Sequence, residues 1–258
     1  MADWNGERYH QISAPQQAWG RRVLDRLALE GSEHVLDLGC GTGRVTAEIA
    51  ARVPRGRVVG VDPSAAMLET ARPWLREHAA SATLVRADGA ALPFKRTFDA
   101  VFSGATFHWI RDHGALFRSI IQALKPGGHL NAQCGGEGNL AVLKARADRL
   151  MAQPRFAPYF EDWIEPTYYA DVASTERRLA AAGFTDIRVW LEAAPTTFDG
   201  PDEFRQFIGN VCVREHVARL PREDRDAFLR ELTVAAVDDT PPLTLDYWRL
   251  NIAARRPA

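Results

Sequence analysis

The chain has 258 residues, of which 46% are hydrophobic and 25% charged, a balance typical of a soluble globular protein. The formal net charge of -1 gives no excess of positive charge, which argues against a nucleic-acid partner. Three scattered cysteines without metal-ligand spacing argue against a zinc site and favour a reducing compartment. No apolar run approaches the ~20 residues of a membrane span, and the polar first residues contain no signal sequence. We therefore expect a cytoplasmic protein that binds no metal and no membrane.

Short apolar runs alternate with amphipathic patterns between residues 33 and 134, which predicts βα units and a parallel sheet. A helix that begins at Ser13 and runs to about Leu29 precedes them, with Ser13 and Gln16 in the positions of a capping box. The predicted strands are His34–Leu38, Arg57–Asp62, Ala82–Arg86, 100–103 and 129–134. The predicted helices between them are Arg44–Arg52, 64–78 and 114–124. The sequence LKPGG at 124–128 predicts a turn whose glycines have positive φ.

The pattern becomes less regular after Gly136. Helices are predicted at 139–152 and 175–182, a strand at 187–192, a helical insert at 201–237 and an alternating strand at 243–254. No composition break is sharp enough to indicate a second domain, so we predict one domain over residues 1–258. Its parts are an N-terminal cap (1–30), a core (31–136) and a substrate-side region (137–258).

A glycine-rich turn follows the first predicted strand, in the sequence DLGCGTG at residues 37–43. Such a turn lets the backbone approach a ligand closely. Its spacing differs from the G-x-G-x-x-G pattern of dinucleotide-binding proteins. The carboxylate of Asp37 would repel a pyrophosphate but attract an α-amino group. The alternative role of Asp37 is to cap the helix that begins at Arg44.

Two further carboxylates follow later strands. Asp62 ends the second predicted strand, where a carboxylate can accept hydrogen bonds from both hydroxyls of a ribose. Asp88 follows the third strand, where it can accept a hydrogen bond from an adenine amino group. Each of these residues alone also fits a turn or a helix cap. An amino acid, a ribose and an adenine together describe S-adenosylmethionine, which we predict to be the cofactor.

These motifs resemble those of the class I S-adenosylmethionine-dependent methyltransferases over residues 30–136. DLGCGTG resembles the first motif of that family, VVGVDPS the second, RADGAALPF the third and FDAVFSGATFHWI the fourth. The resemblance implies an enzyme with a Rossmann-like α/β fold and a seven-stranded, mostly parallel sheet whose last strand is antiparallel. It also implies an N-terminal helical cap and a helical insert before that strand.

The resemblance implies cofactor-binding residues in each motif. Gly39 and Gly41 would line the amino-acid moiety, Asp62 would hold the ribose, and Asp88 with Gly89 would bind the edge of the adenine. The full predicted set is Tyr9, Asp37, Gly39, Cys40, Gly41, Asp62, Pro63, Met67, Asp88, Gly89, Ser103 and Gly104.

The methyl acceptor is predicted to be a small molecule. The fourth motif lacks the Asn/Asp-Pro-Pro-aromatic sequence of enzymes that methylate nucleic-acid or amide nitrogens, and the chain has no basic stripe. Its first residues and the segment 103–117 resemble carboxylate methyltransferases, which include trans-aconitate methyltransferases, juvenile hormone acid methyltransferases and an enzyme of biotin synthesis. All of these form methyl esters. A carboxylate is already an anion at pH 7 and needs no general base, so we predict O-methylation of a small acid.

Candidate substrate residues come from the first helix, the fourth motif and the segment after the core. They are Gln16, Phe107, His108, Trp109, Tyr168 and Tyr169. His108 is the candidate catalytic base if the acceptor is a phenol, an amine or a carbon acid; alternatively it is a hydrogen-bonding wall of the pocket. Gln16 either reaches the substrate or only completes the capping box. Four arginines are possible partners for an anionic substrate, although each is more typical of a solvated surface charge: Arg111, Arg155, Arg205 and Arg214.

Three other functions remain as alternatives. One is C-, N- or phenolic O-methylation of a secondary metabolite, with His108 as the base. A second is an NAD-dependent oxidoreductase, which the glycine spacing and Asp37 argue against. A third is a regulatory protein that binds the cofactor without turnover, although nothing in the glycine-rich turn indicates a degenerate site.

Overall fold

The computed structural model describes residues 14–78 and 80–258, with the side chains of the first helix described from Trp19 onward. The described residues form two compact units. The sheet unit contains the described residues up to Glu137, Thr167–Glu192 and Arg249–Ala258, and the helical unit contains Gly138–Pro166 and Ala193–Trp248. A single domain over 1–258 stays a prediction, and its substrate-side region is shared between these two units.

Seven strands of the described residues form one sheet. They are β1 (His34–Leu38), β2 (Arg57–Asp62), β3 (Ala82–Arg86), β4 (Phe98–Gly104), β5 (Leu124–Gly135), β6 (Thr185–Ala193) and β7 (Trp248–Arg255). Their order in the sheet is β3-β2-β1-β4-β5-β7-β6. Neighbouring strands from β3 to β5 pair in parallel, and β5 pairs with β7 in the antiparallel direction. The predicted fold class, with its antiparallel last strand, is therefore confirmed.

Nine α-helices lie in the part of the chain that the structure describes. They are α1 (Ala14–Leu24), α2 (Arg44–Arg52), α3 (Ala65–Trp74), α4 (His113–Ala123), α5 (Ala141–Met151), α6 (Val172–Ala182), α7 (Pro201–Phe207), α8 (Arg214–Arg219) and α9 (Arg222–Val237). A π-helical turn, Ile208–Cys212, follows α7, and a two-stranded ribbon joins Thr196–Thr197 to Thr244–Leu245. None of these helices has the length and apolar character needed to cross a lipid bilayer.

The sheet is covered on both faces, which explains why its central strands are nearly continuous apolar runs. One face packs against α4 and α6, where Phe117 and Leu179 are completely buried. The other face packs against α1 and α2, where Leu24 and Ile49 are completely buried. Burial of each such side chain contributes about 1.5–3 kcal/mol. The two apolar layers hold the strand ends in fixed positions, and those ends carry the candidate site.

Several predicted boundaries are wrong at the ends of elements. Helix α1 ends at Leu24, where a turn begins, and does not extend to Leu29. The residues of LKPGG belong to β5 and do not form a separate turn. The pairing of β5 with β4 shifts register between Phe98 and Ala100. Of the two glycines in LKPGG, only Gly127 has a positive φ, 75°. The strand predicted over 243–254 is interrupted at Asp246 and Tyr247, so that only β7 belongs to the large sheet.

Candidate functional site

The candidate site lies at the carboxyl edge of the parallel strands. Strand β1 pairs with β2 on one side and with β4 on the other, so the strand order reverses at β1. In open α/β sheets, ligands bind outside the carboxyl ends of the strands at such a switch point. The glycine-rich turn (residues 39–43) follows β1 here, and the segment 105–110 follows β4.

The amide groups of the glycine-rich turn are used inside the protein. The N–H groups of Gly39 and Cys40 both donate to the carbonyl oxygen of Val61, at 2.7 and 3.0 Å. The N–H of Gly41 donates to Oδ2 of Asp62 at 3.0 Å. Phosphate-binding turns instead direct several N–H groups at the anion. This turn is therefore poorly suited to a pyrophosphate, which argues against the dinucleotide alternative.

Gly39 and Gly41 have different reasons to be glycine. Both have a positive φ, 77° and 51° respectively, which favours glycine. A Cβ atom on Gly39 would lie 2.0 Å from Oγ1 of Thr106, whereas a Cβ atom on Gly41 would have nothing within 4 Å. The first glycine is thus required by packing against the segment after β4. The second faces open space beside the turn, where a ligand can approach the backbone.

Asp37 is a buried acidic residue that is 1% exposed. Its Oδ2 accepts a hydrogen bond from the hydroxyl of Thr46 at 2.6 Å. It does not cap α2, because Gly43 occupies the cap position and no side chain caps that end of the helix. Burial raises the pKa of Asp37 to about 7, the Thr46 hydrogen bond opposes this shift, and the charge of Asp62 adds to it. A cation beside Asp37 would stabilise the carboxylate form.

Asp62 connects the glycine-rich turn to the start of α3. Its Oδ2 accepts the N–H of Gly41, and its Oδ1 accepts the N–H of Ser64 at 2.9 Å. The hydrogen bond from Ser64 is the turn role predicted from the sequence as an alternative for Asp62. Asp62 has this role and also binds the glycine-rich turn. Because each carboxylate oxygen can accept more than one hydrogen bond, these contacts orient Asp62 without preventing it from binding hydroxyl groups.

Asp88 and Gly89 lie together after β3. Asp88 is exposed, and its Oδ1 accepts the N–H of Ala90 at 2.9 Å, which caps a short 3-10 helix. Gly89 is buried, and a Cβ atom there would lie 3.0 Å from the side chain of Ile110. The third motif therefore contacts the segment that follows β4, and the carboxylate of Asp88 stays at the surface.

Several other predicted cofactor residues hold the surrounding elements. The N–H of Met67 donates to the hydroxyl of Ser64 at 3.2 Å, and the Met67 side chain is buried. The hydroxyl of Ser103 donates to the carbonyl oxygen of Leu38 at 2.7 Å, so it joins β4 to β1. Gly104 follows directly, and the hydroxyl of Thr106 donates to its carbonyl oxygen at 3.1 Å.

Cys40 and Pro63 make their described contacts through the backbone. The thiol of Cys40 is buried, and burial raises its pKa, so it stays protonated. Pro63 is exposed, and its carbonyl oxygen accepts a hydrogen bond from Nε of Arg86 at 3.0 Å. Tyr9 lies outside the described residues, and Gln16 lies in α1 at a position where only the backbone is described.

His108 is a buried, neutral histidine on the 3-10 turn Phe107–Trp109. Its Nδ1 accepts a hydrogen bond from the N–H of Gly135 at 3.2 Å. Burial lowers the pKa of His108 to about 3, and electrostatic repulsion by the Arg249 charge and by protonation of His113 adds to this shift. Because the lone pair of Nδ1 is occupied, the proton of the neutral ring is on Nε2. His108 can therefore donate a hydrogen bond from Nε2.

Aromatic residues surround His108. The ring of Trp109 lies 5.3 Å from the His108 ring, and the ring of Tyr169 lies 5.8 Å from it, measured between centroids. The N–H of Tyr168 donates to the carbonyl oxygen of His108 at 2.8 Å, which holds the segment in place. The hydroxyl of Tyr168 accepts a hydrogen bond from Arg178 on α6. Trp109 and Tyr169 are thus the predicted substrate residues whose rings lie beside His108.

Phe107 has a different environment from the other predicted substrate residues. It is completely buried in the core, with its ring 6.0 Å from that of Phe117 on α4. Adjacent residues of the 3-10 turn face different directions, so His108 and Phe107 do not share a surface. We therefore leave Phe107 out of the proposed substrate site.

Two residues that shape the site are absent from the sequence-based predictions. Thr106 closes over Gly39, and Gly135 orients His108. The two consecutive glycines at the end of β5, Gly135 as its last residue and Gly136 directly after it, were the available signal for a close backbone approach. Thr106 carries no comparable signal, because threonine is common in turns of any function.

The comparisons with known proteins agree with this geometry. A family model described as "Methyltransferase domain" matches residues 35–128. Trans-aconitate 2-methyltransferase of Methylobacterium radiotolerans is 30% identical over 271 residues, and the alignment covers 99% of both chains. The enzyme of the same name from Azoarcus sp. (strain BH72) is 36% identical, and the alignment covers 97% of this chain and 95% of the relative. Phosphoethanolamine N-methyltransferase 2 of Haemonchus contortus, solved with S-adenosyl-L-methionine, has the same fold at 22% identity and a TM-score of 0.63, covering 98% of this chain and 57% of that one.

The contrast between the two glycines predicts unequal effects of the same substitution. Gly41→Ala should lower the free energy of unfolding by about 1–2 kcal/mol, because only the left-handed backbone opposes it. Gly39→Ala should cost at least about 3 kcal/mol, because the methyl group also overlaps Thr106. Urea unfolding of the two variants would measure this difference. Adding Thr106→Gly to Gly39→Ala should recover part of the loss, and equal losses in the two single variants would contradict the described packing.

Proposed function

Because the chain belongs to the class I S-adenosylmethionine-dependent methyltransferases, we propose that it transfers the methyl group to a carboxylate of a small acid and forms a methyl ester. The observation that carries this proposal is the hydrogen bond from Gly135 to Nδ1 of His108. The names of the relatives, trans-aconitate 2-methyltransferases, support the same class of acceptor.

The protonation state of His108 favours an acceptor that needs no base. A phenol, an amine or a carbon acid must lose a proton, which requires a lone pair on Nε2. That tautomer would place a proton on Nδ1 against the N–H of Gly135 and leave a buried donor unsatisfied, at a cost of about 1–3 kcal/mol. A carboxylate is already ionised and instead accepts a hydrogen bond from Nε2–H. We therefore assign His108 as a donor that orients the acceptor, which is the hydrogen-bonding role considered from the sequence and not the role of a base.

The cofactor fits the residues at the switch point. S-adenosylmethionine supplies the electrophilic methyl group when it is bound. We assign the α-amino group to Asp37, whose buried carboxyl group is stabilised as a carboxylate by a nearby cation. We assign the ribose hydroxyls to Asp62, which is oriented by Gly41 and Ser64. The open space beside Gly41 lets a ligand lie against the turn.

The surroundings of His108 suit a reaction in which opposite charges disappear. The carboxylate loses its negative charge as the sulfonium loses its positive charge, so a site with little water favours the transition state over the separated ions. The rings of Trp109 and Tyr169 provide apolar faces that exclude water and attract a sulfonium. His108, as a neutral donor, does not add a charge that would oppose this cancellation.

Binding of the cofactor should depend on pH through Asp37. The pKa of Asp37 in the folded protein, about 7, is raised from 3.8, so below pH 7 a proton must leave before the carboxylate can bind an α-amino cation. The affinity for S-adenosylhomocysteine should therefore rise between about pH 5.5 and 7 and level off about one pH unit above the pKa, near pH 8. Calorimetry with the wild type and Asp37→Asn would test this. The variant should bind more weakly with little pH dependence, and a flat wild-type profile would contradict the assignment.

The class of product tests the proposed function itself. Purified protein would be incubated with methyl-labelled S-adenosylmethionine and a panel of acids, phenols and amines, and the extracted label would be treated with mild alkali. A methyl ester should release the label as methanol. Alkali-stable label would overturn the carboxylate proposal and favour the phenolic, C- or N-methyl alternative. Binding of S-adenosylhomocysteine without any labelled product would instead favour the regulatory alternative.

A further inference from the structure

A buried arginine lies next to the residue that holds His108. Arg249 is at the start of β7, where the antiparallel register pairs it directly with Gly135 of β5. Gly135 is the residue whose N–H binds Nδ1 of His108. The sheet register therefore brings Arg249 to the same edge of the sheet as His108, although the two residues are far apart in the sequence.

The charge of Arg249 is fixed beside the site. The residue is 3% exposed, and its guanidinium carbon lies 4.4 Å from the centre of the Trp19 ring. Its positive charge contributes to the lowered pKa of His108 and opposes the rise in the pKa of the Cys134 thiol that burial causes. Both effects agree with a position of Arg249 close to His108 and Cys134. An aromatic ring against one face of a guanidinium leaves the N–H groups at its edge, and that edge matches a carboxylate in a bidentate arrangement.

A fixed cation suits a carboxylate that does not react. The reacting carboxylate loses its charge in the transition state, so pairing it with a guanidinium would stabilise the ground state and slow the transfer. A neutral donor such as His108 stabilises the ground state less and so has a smaller penalty. A carboxylate that keeps its charge throughout can pair with an arginine equally in the ground state and the transition state, which strengthens binding without affecting the chemical step.

We propose that Arg249 binds a second, non-reacting carboxylate of the acceptor and makes the enzyme selective for acids with two or more carboxylates. The inference rests on the proposed function, since it assumes that one carboxylate is methylated next to His108. In this arrangement His108 orients the reacting carboxylate, and Arg249 binds the carboxylate that does not react.

Acids that differ in one carboxylate give a direct test. Fumarate and crotonate share the trans-butenoate skeleton and differ by one carboxylate, and trans-aconitate carries three. The wild type should have a KM for trans-aconitate and fumarate about 10- to 100-fold below that for crotonate. Arg249→Gln should raise KM for the two polycarboxylic acids by a similar factor, with kcat changed less than about 3-fold and with crotonate unaffected. Arg249→Lys should be intermediate, because a lysine keeps the charge but loses the bidentate geometry.

Controls separate selectivity from folding. Arg255→Gln changes an exposed arginine on the same strand and should leave every KM unchanged. The Kd for S-adenosylhomocysteine would verify that each variant retains its site. If Arg249→Gln fails to fold, the Arg249→Lys series and the wild-type preference decide the question. A wild type without preference for polycarboxylic acids, or a rise in KM that is equal for crotonate, would overturn the role of Arg249.

Acid binding without turnover distinguishes this inference from the proposed function. Thermal unfolding of the protein loaded with S-adenosylhomocysteine would be followed with and without each acid. Stabilisation of the wild type, but not of Arg249→Gln, by trans-aconitate would support the anchoring site even if no ester formed. Ester formation from the acids together with equal stabilisation of both proteins would leave the proposed function intact and remove Arg249 from it.

Discussion

The hydrogen bond from the N–H of Gly135 to Nδ1 of His108 is the interaction on which the chemistry of this site depends. It joins the end of β5 to the segment after β4 and occupies one ring nitrogen, so the neutral ring can only donate from the other. Burial and the nearby charge of Arg249 keep the ring neutral. The backbone bond from Tyr168 to His108 holds the same segment from a third direction. These contacts make His108 a hydrogen-bond donor and not a base. Such a donor suits an acceptor that is already ionised, because that acceptor needs no proton removed.

The rest of the site is built around carboxylates at the switch point of the sheet. The glycine-rich turn uses the amides of Gly39, Cys40 and Gly41 internally, so it offers a close backbone surface without an anion-binding nest. The carboxyl groups of Asp37 and Asp62 lie near this turn, and the charge of Asp62 acts on Asp37. This distribution favours a ligand with a cationic end and a hydroxylated sugar. It is the electrostatic opposite of a dinucleotide site, which explains how a Rossmann-like sheet binds S-adenosylmethionine.

Local patterns predicted the parts of the fold that depend on local forces. Strands β1, β2 and β3 have the predicted bounds, because each is a short run of mainly apolar residues that ends at turn residues. The last strand was predicted too long, because the alternating pattern continues through Asp246 and Tyr247, where the chain leaves the large sheet. Gly135 and Arg249 were not predicted for a related reason: their proximity is set by the register of β5 and β7. The arginines chosen from the sequence include Arg155 and Arg205, which pair with aspartates in the helical unit.

The protonation of His108 gives the most direct test of its role as an orienting donor. Protein labelled with 15N-histidine would be studied by NMR in complex with S-adenosylhomocysteine between pH 5.5 and 8.5, with a His108→Gln variant to assign the resonances. We expect His108 to remain neutral over this range with its proton on Nε2, as the bond from Gly135 and the lowered pKa require. A His108 that titrates near pH 6.5, or that carries its proton on Nδ1, would contradict this role and favour that of a base.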